Sequence, residues 1–231
     1  MSLLNSIPGR AASVVVLRYE ALGGPNQVSA AELEWQLEHL SSDWRPLALS
    51  GFGLYLRGRS DLPRRGVAVT FDATDTHTLA VASELLARSE VPATFFVATG
   101  RPGELPPVNW DRLRAMRSER IDFGSRTVSG QALRGRPLEQ VREELLESRR
   151  HIERALGQQC LAVAFPGVAD SDEVGILAEA GLAGYRVALS RRDGANIIGA
   201  LEPFAIRRVT VDSGMSRAAF QSALKLGRRD Q

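Results

Sequence analysis

One cysteine, one lysine and three histidines are all that 231 residues hold of those types, and each scarcity removes a class of protein. With Cys160 alone, neither an intrachain disulfide nor a cysteine-based zinc cage can form. Burial statistics make it a small core residue, expected on a strand. Lys225 is the only lysine, so arginine carries the basic charge, a skew that fits a GC-rich genome. Acidic residues are interleaved with those arginines and the formal net charge is only +2, so no nucleic-acid surface is expected. No apolar run approaches the roughly 20 residues of a membrane span. Met1 to Ala12 also lacks the apolar stretch of a secretory leader, which predicts a cytoplasmic chain if Met1 is the start.

What is present is ordinary globular composition, 44% hydrophobic and 24% charged. The length suits one sizeable core better than two domains and a linker. One domain over residues 13–226 is therefore expected, with residues 1–12 and 227–231 as flexible termini.

Short apolar runs alternate with helical patterns. Ser13 to Leu17 reads as a strand whose run of valines suits a parallel sheet buried on both faces. Ser29-Ala30-Ala31-Glu32 has capping-box spacing, and the helix behind it puts Leu33, Leu37 and Leu40 on one face. Pro46 to Leu49 suits a short strand, followed by a glycine-rich connection to Pro63. Gly66 to Asp72 is the next strand and Thr76 to Ala87 its helix. Pro92 to Ala98 reads as a strand, Gly100 to Pro107 as a loop, Trp110 to Arg117 as a helix and Ile121 to Gly124 as a strand. A long charged helix follows from Pro137 to Leu156. Leu161 to Phe165, Ser171 to Ala180, Gly184 to Leu189, Phe204 to Val211 and Ser216 to Leu226 continue the alternation. Strands separated by helices imply parallel pairing with helical crossovers. Seven or so such units without a nucleotide-type glycine fingerprint favour a barrel over an open sheet. In such folds reacting groups gather at the carboxyl ends of strands, where Asp72, Arg126 and Pro166 fall.

Thr70-Phe71-Asp72-Ala73 and Ala93-Thr94-Phe95-Phe96-Val97, with several further ordered segments, resemble the T-F-D-D-G motif and the A-T-F-F-V strand of one family, the polysaccharide deacetylases. Gln36 and Leu37 lie in a helix similar to F-x-x-Q-L-x-x-L. Ile121 to Gly130 lines up with E-I-G-S-H-T-x-x-H. Glu143 to Arg149 resembles the E-x-x-x-S-R helix, and Ala164-Phe165-Pro166-Gly167 a shortened F-x-Y-P-Y-G. The stretches Leu17 to Glu20 and Pro203 to Arg208 are also similar to family segments. The resemblance implies a distorted α/β barrel, (β/α) in repeat, of the glycoside hydrolase/deacetylase type.

The family's activity is metal-dependent removal of N-acetyl groups, a hydrolysis of carbon–nitrogen, non-peptide bonds. Carried over by position, the resemblance makes Asp72 the catalytic base and places the metal ligands at Ala73, Arg126 and Gly130. Alanine and glycine have no ligand atom, and arginine is a permanent cation without a lone pair to give. The family's late histidine, the general acid, also has no counterpart, since none follows His151. A bound metal lowers the pKa of water from roughly 16 to about 7, on the order of 12 kcal/mol of activation. A lone general base supplies only about 3 to 5 kcal/mol. No metal and no cofactor are therefore expected.

The reading that follows is a catalytically inactive member in carbohydrate metabolism that binds a glycan or a partner protein of polysaccharide metabolism. The alternative is a divergent hydrolase using Asp72 as base, and a third reading is a structural partner of a glycan-synthesis enzyme. Arg126 is expected to pair with Asp72, or, with backbone N–H groups near Gly167, to bind an anion such as a sugar carboxylate or sulfate. Thr127, Pro166, Gly167 and Trp110 are the other candidate binding residues. Trp35 and Trp44 suit core packing. Asp75 and His77, just after Asp72, both bear metal-binding chemistry. A rebuilt site from Asp72, Asp75 and His77 would need all three to converge from one loop and a fourth ligand from elsewhere, and His77 fits the first turn of a helix better. His39 and His151 read as surface histidines.

Overall fold

A computed structural model describes residues 13–72, 75–100, 108–167, 169–170 and 173–226. In chain order it runs β1 (Ser13–Tyr19), α1 (Ala30–Asp43), β2 (Arg45–Pro46), α2 (Ser50–Tyr55), β3 (Gly66–Phe71), α3 (Thr76–Ser89), β4 (Ala93–Val97) and α4 (Trp110–Met116). It continues with β5 (Ile121–Ser125), α5 (Leu138–Leu156), β6 (Ala162–Ala164), α6 (Val174–Leu182), β7 (Val187–Leu189), β8 (Asn196–Ile197), β9 (Val209–Thr210) and α7 (Arg217–Leu226).

The helices begin where local chemistry satisfies their free N–H groups. Ser29 and Glu32 close a reciprocal capping box on α1, as the spacing predicts. Asp75 caps α3, accepting from the N–H of His77 and Thr78 at 3.1 and 2.9 Å. Gly157, at φ +64°, ends α5 in the left-handed conformation.

The sheet runs β7-β6-β5-β4-β3-β1-β8, parallel except that β8 pairs antiparallel with β1. It curls back on itself. Leu189 of β7 bridges Ile206 in parallel, and the same chain segment continues to β9, which pairs with Leu17 and Arg18 of β1. The fold is thus the distorted α/β barrel of the sequence reading, with its last stave reduced to short contacts.

Three expectations need correction. The strand foreseen over Pro46 to Leu49 is the two-residue β2, and α2 occupies part of the expected glycine-rich connection. Between Phe204 and Val211 only Val209–Thr210 pairs as strand, because Arg207 N–H and carbonyl are bonded instead to the Asn196 side chain. Cys160 is buried in the turn before β6, not on the strand. No helix among the described residues is long and apolar enough to cross a membrane.

Strand side chains alternate between faces, and two buried clusters separate accordingly. Val15, Leu17, Tyr19, Val69, Phe71, Phe95 and Val97 pack beneath α1, α3 and α5. Val14, Val16, Ala68, Phe96, Ala164, Leu189 and Ile206 form a second cluster with no residue from those helices, the barrel's interior. Phe96 fills it, and a Cβ on Gly124 would come within 2.5 Å of that ring, which requires glycine there. The inward alternation from Val16, Ala68, Gly124 and Ile206 continues upward to Arg18, Asp72, Arg126 and Arg208. Four charged side chains therefore cap an apolar interior.

Candidate functional site

Asp72 stands just past β3, its N–H bonded to the Tyr19 carbonyl at 2.8 Å and its side chain wholly out of solvent. Arg208, equally buried, donates to it through both terminal nitrogens, Nη1 to Oδ1 at 2.6 Å and Nη2 to Oδ2 at 3.0 Å. Nε of Arg208 donates to the Ser190 carbonyl at 3.0 Å, and its guanidinium lies over the Phe96 ring. Arg126 reaches Oδ2 from the other side through Nη1. Its backbone is fixed by a bond from its N–H to the Val97 carbonyl at 2.8 Å. Burial pushes the Asp72 carboxyl up, but Arg208 and then Arg126 outweigh it and hold the group below its ordinary value.

A second charged string adjoins the first. Arg18 donates to Glu20 at 2.7 Å and to the Thr210 hydroxyl at 2.6 Å, and Arg191 meets the same Glu20 at 3.1 Å. Burial lowers the Arg18 pKa, and while Glu20 opposes that shift, Arg208 and Arg191 add to it.

The pairing of Arg126 with Asp72 is the one foreseen from sequence. Arg208, Arg18, Glu20 and Arg191 were missed as site residues, although Arg18 and Arg208 lay in segments already singled out. The available signal was a cation inside an apolar strand run, Val14 to Tyr19 and Ala205 to Val211. A buried cation requires a carboxylate close by.

Thr127 is fully buried at φ +62°, an unusual conformation for a β-branched residue, and its hydroxyl accepts from Gly130 N–H. The loop that carries it is pinned by the buried Glu144, whose Oε2 accepts from Val128 N–H, Ser129 N–H and the Ser129 hydroxyl. Pro166 is buried, and the Gly167 N–H is not free for a ligand, because it donates to Asp170 at 2.8 Å. A Cβ at Gly167 would collide with that carboxylate. Trp110 packs at 4.8 Å against His151, which is half-buried and not on the open surface as expected. No described contact joins Trp110 to Asp72. His39 pairs with the exposed Asp43 at 2.9 Å. Trp35 packs edge-on against Phe220, and Trp44 is buried beneath Arg65.

A metal fits this arrangement poorly. Of the three positions the family would use, Ala73 lies outside the described residues. Arg126 puts a cation on the Asp72 carboxylate. Gly130, at φ +66°, has room for a Cβ only 3.1 Å from that of Ala98. Asp75 spends its carboxylate on the α3 cap, and His77 is exposed in the first turn of α3, as expected. Among the described residues, no three His, Cys, Asp or Glu side chains converge.

Comparison with solved structures finds the same fold. The Streptococcus pyogenes deacetylase PplD in complex with acetate matches with a TM-score of 0.82 at 18% identity, covering 93% of this chain and 99% of that one. IcaB from Ammonifex degensii matches at 0.78 and 21%, over 95% and 99%. A de-N-acetylase from Aggregatibacter actinomycetemcomitans gives 0.75 and 16%, over 91% and 99%. At these identities the likeness is one of fold. A comparison with curated proteins finds no match. The family model for polysaccharide deacetylase matches residues 59–188, more than half of the chain. The chain belongs to the polysaccharide deacetylase family.

Proposed function

We propose that this protein is a non-hydrolytic member of its family, which uses the barrel mouth to bind a glycan or a partner protein of polysaccharide metabolism. The observation that carries the reading is the double-arginine clamp on Asp72. A general base must lie within hydrogen-bond reach of the water it activates, with a pKa near the working pH. Both Asp72 oxygens are taken up by guanidinium groups, the side chain is closed to solvent, and its pKa is held low. Each of these weakens it as a base. Arg126 further sets a positive charge where a cationic metal would have to approach, which Coulomb repulsion opposes.

The divergent-hydrolase alternative is supported by the family match and by the carboxylate kept at Asp72. The test is acetate release from N-acetylglucosamine oligomers by the purified chain, with zinc, cobalt or nickel supplied. The expected result is no release above the metal-only background, together with measurable glycan binding by calorimetry. Metal-stimulated release that disappears in Asp72→Asn would overturn the reading.

A further inference from the structure

Arg126 brings more donors to the mouth than Asp72 uses. A guanidinium carries five N–H donors in a rigid plane. Nη1 is spent on Asp72, but no described residue accepts from Nε or Nη2. Arg208 differs, with every nitrogen engaged on Asp72 or the Ser190 carbonyl. Arg18 and Arg191 share Glu20. Arg126 also keeps 13% of its side chain in solvent, whereas Asp72 and Arg208 keep none.

The charges do not balance. Among the described residues, Arg18, Arg126, Arg191 and Arg208 pair with two carboxylates, Asp72 and Glu20. Four cations against two carboxylates leave an excess of positive charge in this group, and the donor edge with no acceptor among the described residues belongs to Arg126. Backbone bonds from Arg126 N–H to Val97 and from Thr99 N–H to Thr127 fix the loop, so the edge is held in place before any ligand arrives.

We infer that this edge recognises a carboxylate on a saccharide, so that the preferred ligand is a uronate-bearing glycan. The inference rests on the binding role proposed above and names its ligand class. A planar carboxylate matches the Nε–Nη2 edge with two parallel hydrogen bonds, whereas a neutral N-acetyl carbonyl offers a single acceptor oxygen. The site that would bind a metal and a water in a hydrolase is here a socket for an anion.

The test is calorimetric titration of the whole chain with a galacturonate tetramer, an N-acetylglucosamine tetramer and inorganic sulfate. The uronate oligomer should bind roughly tenfold to a hundredfold more tightly than the neutral one, the gain of a charge-assisted bidentate contact. That preference should shrink as salt is raised. Arg126→Gln should reduce uronate binding to the level of the neutral oligomer. Its melting temperature is measured alongside, with Asp72 still held by Arg208. Arg126→Lys keeps a cation against Asp72 but loses the fork, and most of the preference should go with it. Equal affinity for the two oligomers sinks the inference and leaves the binding role standing. So does undiminished uronate binding in both variants, or sulfate binding as tightly as the uronate. Acetate release sinks the binding role instead, whichever oligomer binds.

Discussion

Asp72 and Asp170 are both buried carboxylates in loops at the mouth end of the barrel, and they are satisfied by opposite means. Asp72 is held by side-chain cations, Arg208 and Arg126, drawn from distant parts of the chain. Asp170 is held by backbone amides, those of Leu133 and Arg134 on Oδ1 and of Gly167 on Oδ2. Amide bonds fix loops to one another and add no charge. Guanidinium groups instead create a charged cluster whose members can be exchanged for a ligand. The first arrangement is scaffold, and the second is where a function can reside. Glu144 combines the two means, pinning the 127–129 turn through the Val128 and Ser129 amides while Arg136 reaches its other oxygen at 3.4 Å.

The comparison predicts different penalties. Arg208→Met removes the fully buried, bidentate partner, and breaking such a pair costs about 3 to 5 kcal/mol. For a chain of this size that lowers the melting temperature by on the order of 10 °C. Adding Asp72→Asn to Arg208→Met should recover part of the loss, because the buried carboxylate is then neutral and only Arg126, which keeps 13% of its side chain in solvent, loses its partner. A double variant no better than Arg208→Met alone would show that packing of Arg208 on Phe96, and not charge, holds the mouth. Asp72 also predicts an acid response. Its folded pKa lies below the ordinary 3.8, so its contribution is complete above about pH 4 and is lost as the pH falls further. Urea titrations at pH 6 and pH 3 should show the parent losing more stability on acidification than the double variant does.

At Asp170 the expected penalty is smaller. Asp170→Ala leaves three N–H groups without their acceptor, at about 1 to 3 kcal/mol for each one that water cannot reach. Partial entry of water brings the expected total to about 2 to 4 kcal/mol, read by urea denaturation. If Asp170→Ala costs more than Arg208→Met, the amide-bound carboxylate is the stronger anchor and the contrast reverses.

Sequence alone made the barrel legible for physical reasons. The valine run of β1, the apolar run through Phe95, Phe96 and Val97 and the α1 capping box are local signals that agree with the final packing. The short staves were not legible. β2, β8 and β9 are two residues each, and what fixes them is side-chain capture, such as Asn196 holding the Arg207 backbone. The site was half legible. Asp72 and Arg126 stood out because their neighbours follow a motif. The Arg208 that completes the clamp is 136 residues from Asp72, and only barrel closure brings them together. Gly167 misled for a similar reason, since its apparent freedom depended on not knowing where the Asp170 side chain points.

The smallest expected effect sharpens the comparison at a third carboxylate. Asp122 of β5 is half-buried and forms no ion pair among the described residues. Its Oδ1 accepts from Phe123 N–H and from Gln158, each at 2.8 Å. Burial pushes its carboxyl up, and those two bonds only partly offset the shift. The direction is opposite to that of Asp72, and so is the consequence for stability. A carboxyl raised on folding costs stability once the pH exceeds its ordinary 3.8 and the unfolded chain ionises more readily. An asparagine keeps an acceptor oxygen for both donors and carries no charge to bury. Asp122→Asn should therefore raise the melting temperature at pH 7 and leave it unchanged at pH 3. A loss at pH 7 would mean that the ionised form is welcome there, so that amide donors alone suffice for a buried carboxylate. The arginines around Asp72 would then be more than burial requires, which would strengthen the case that they serve a ligand.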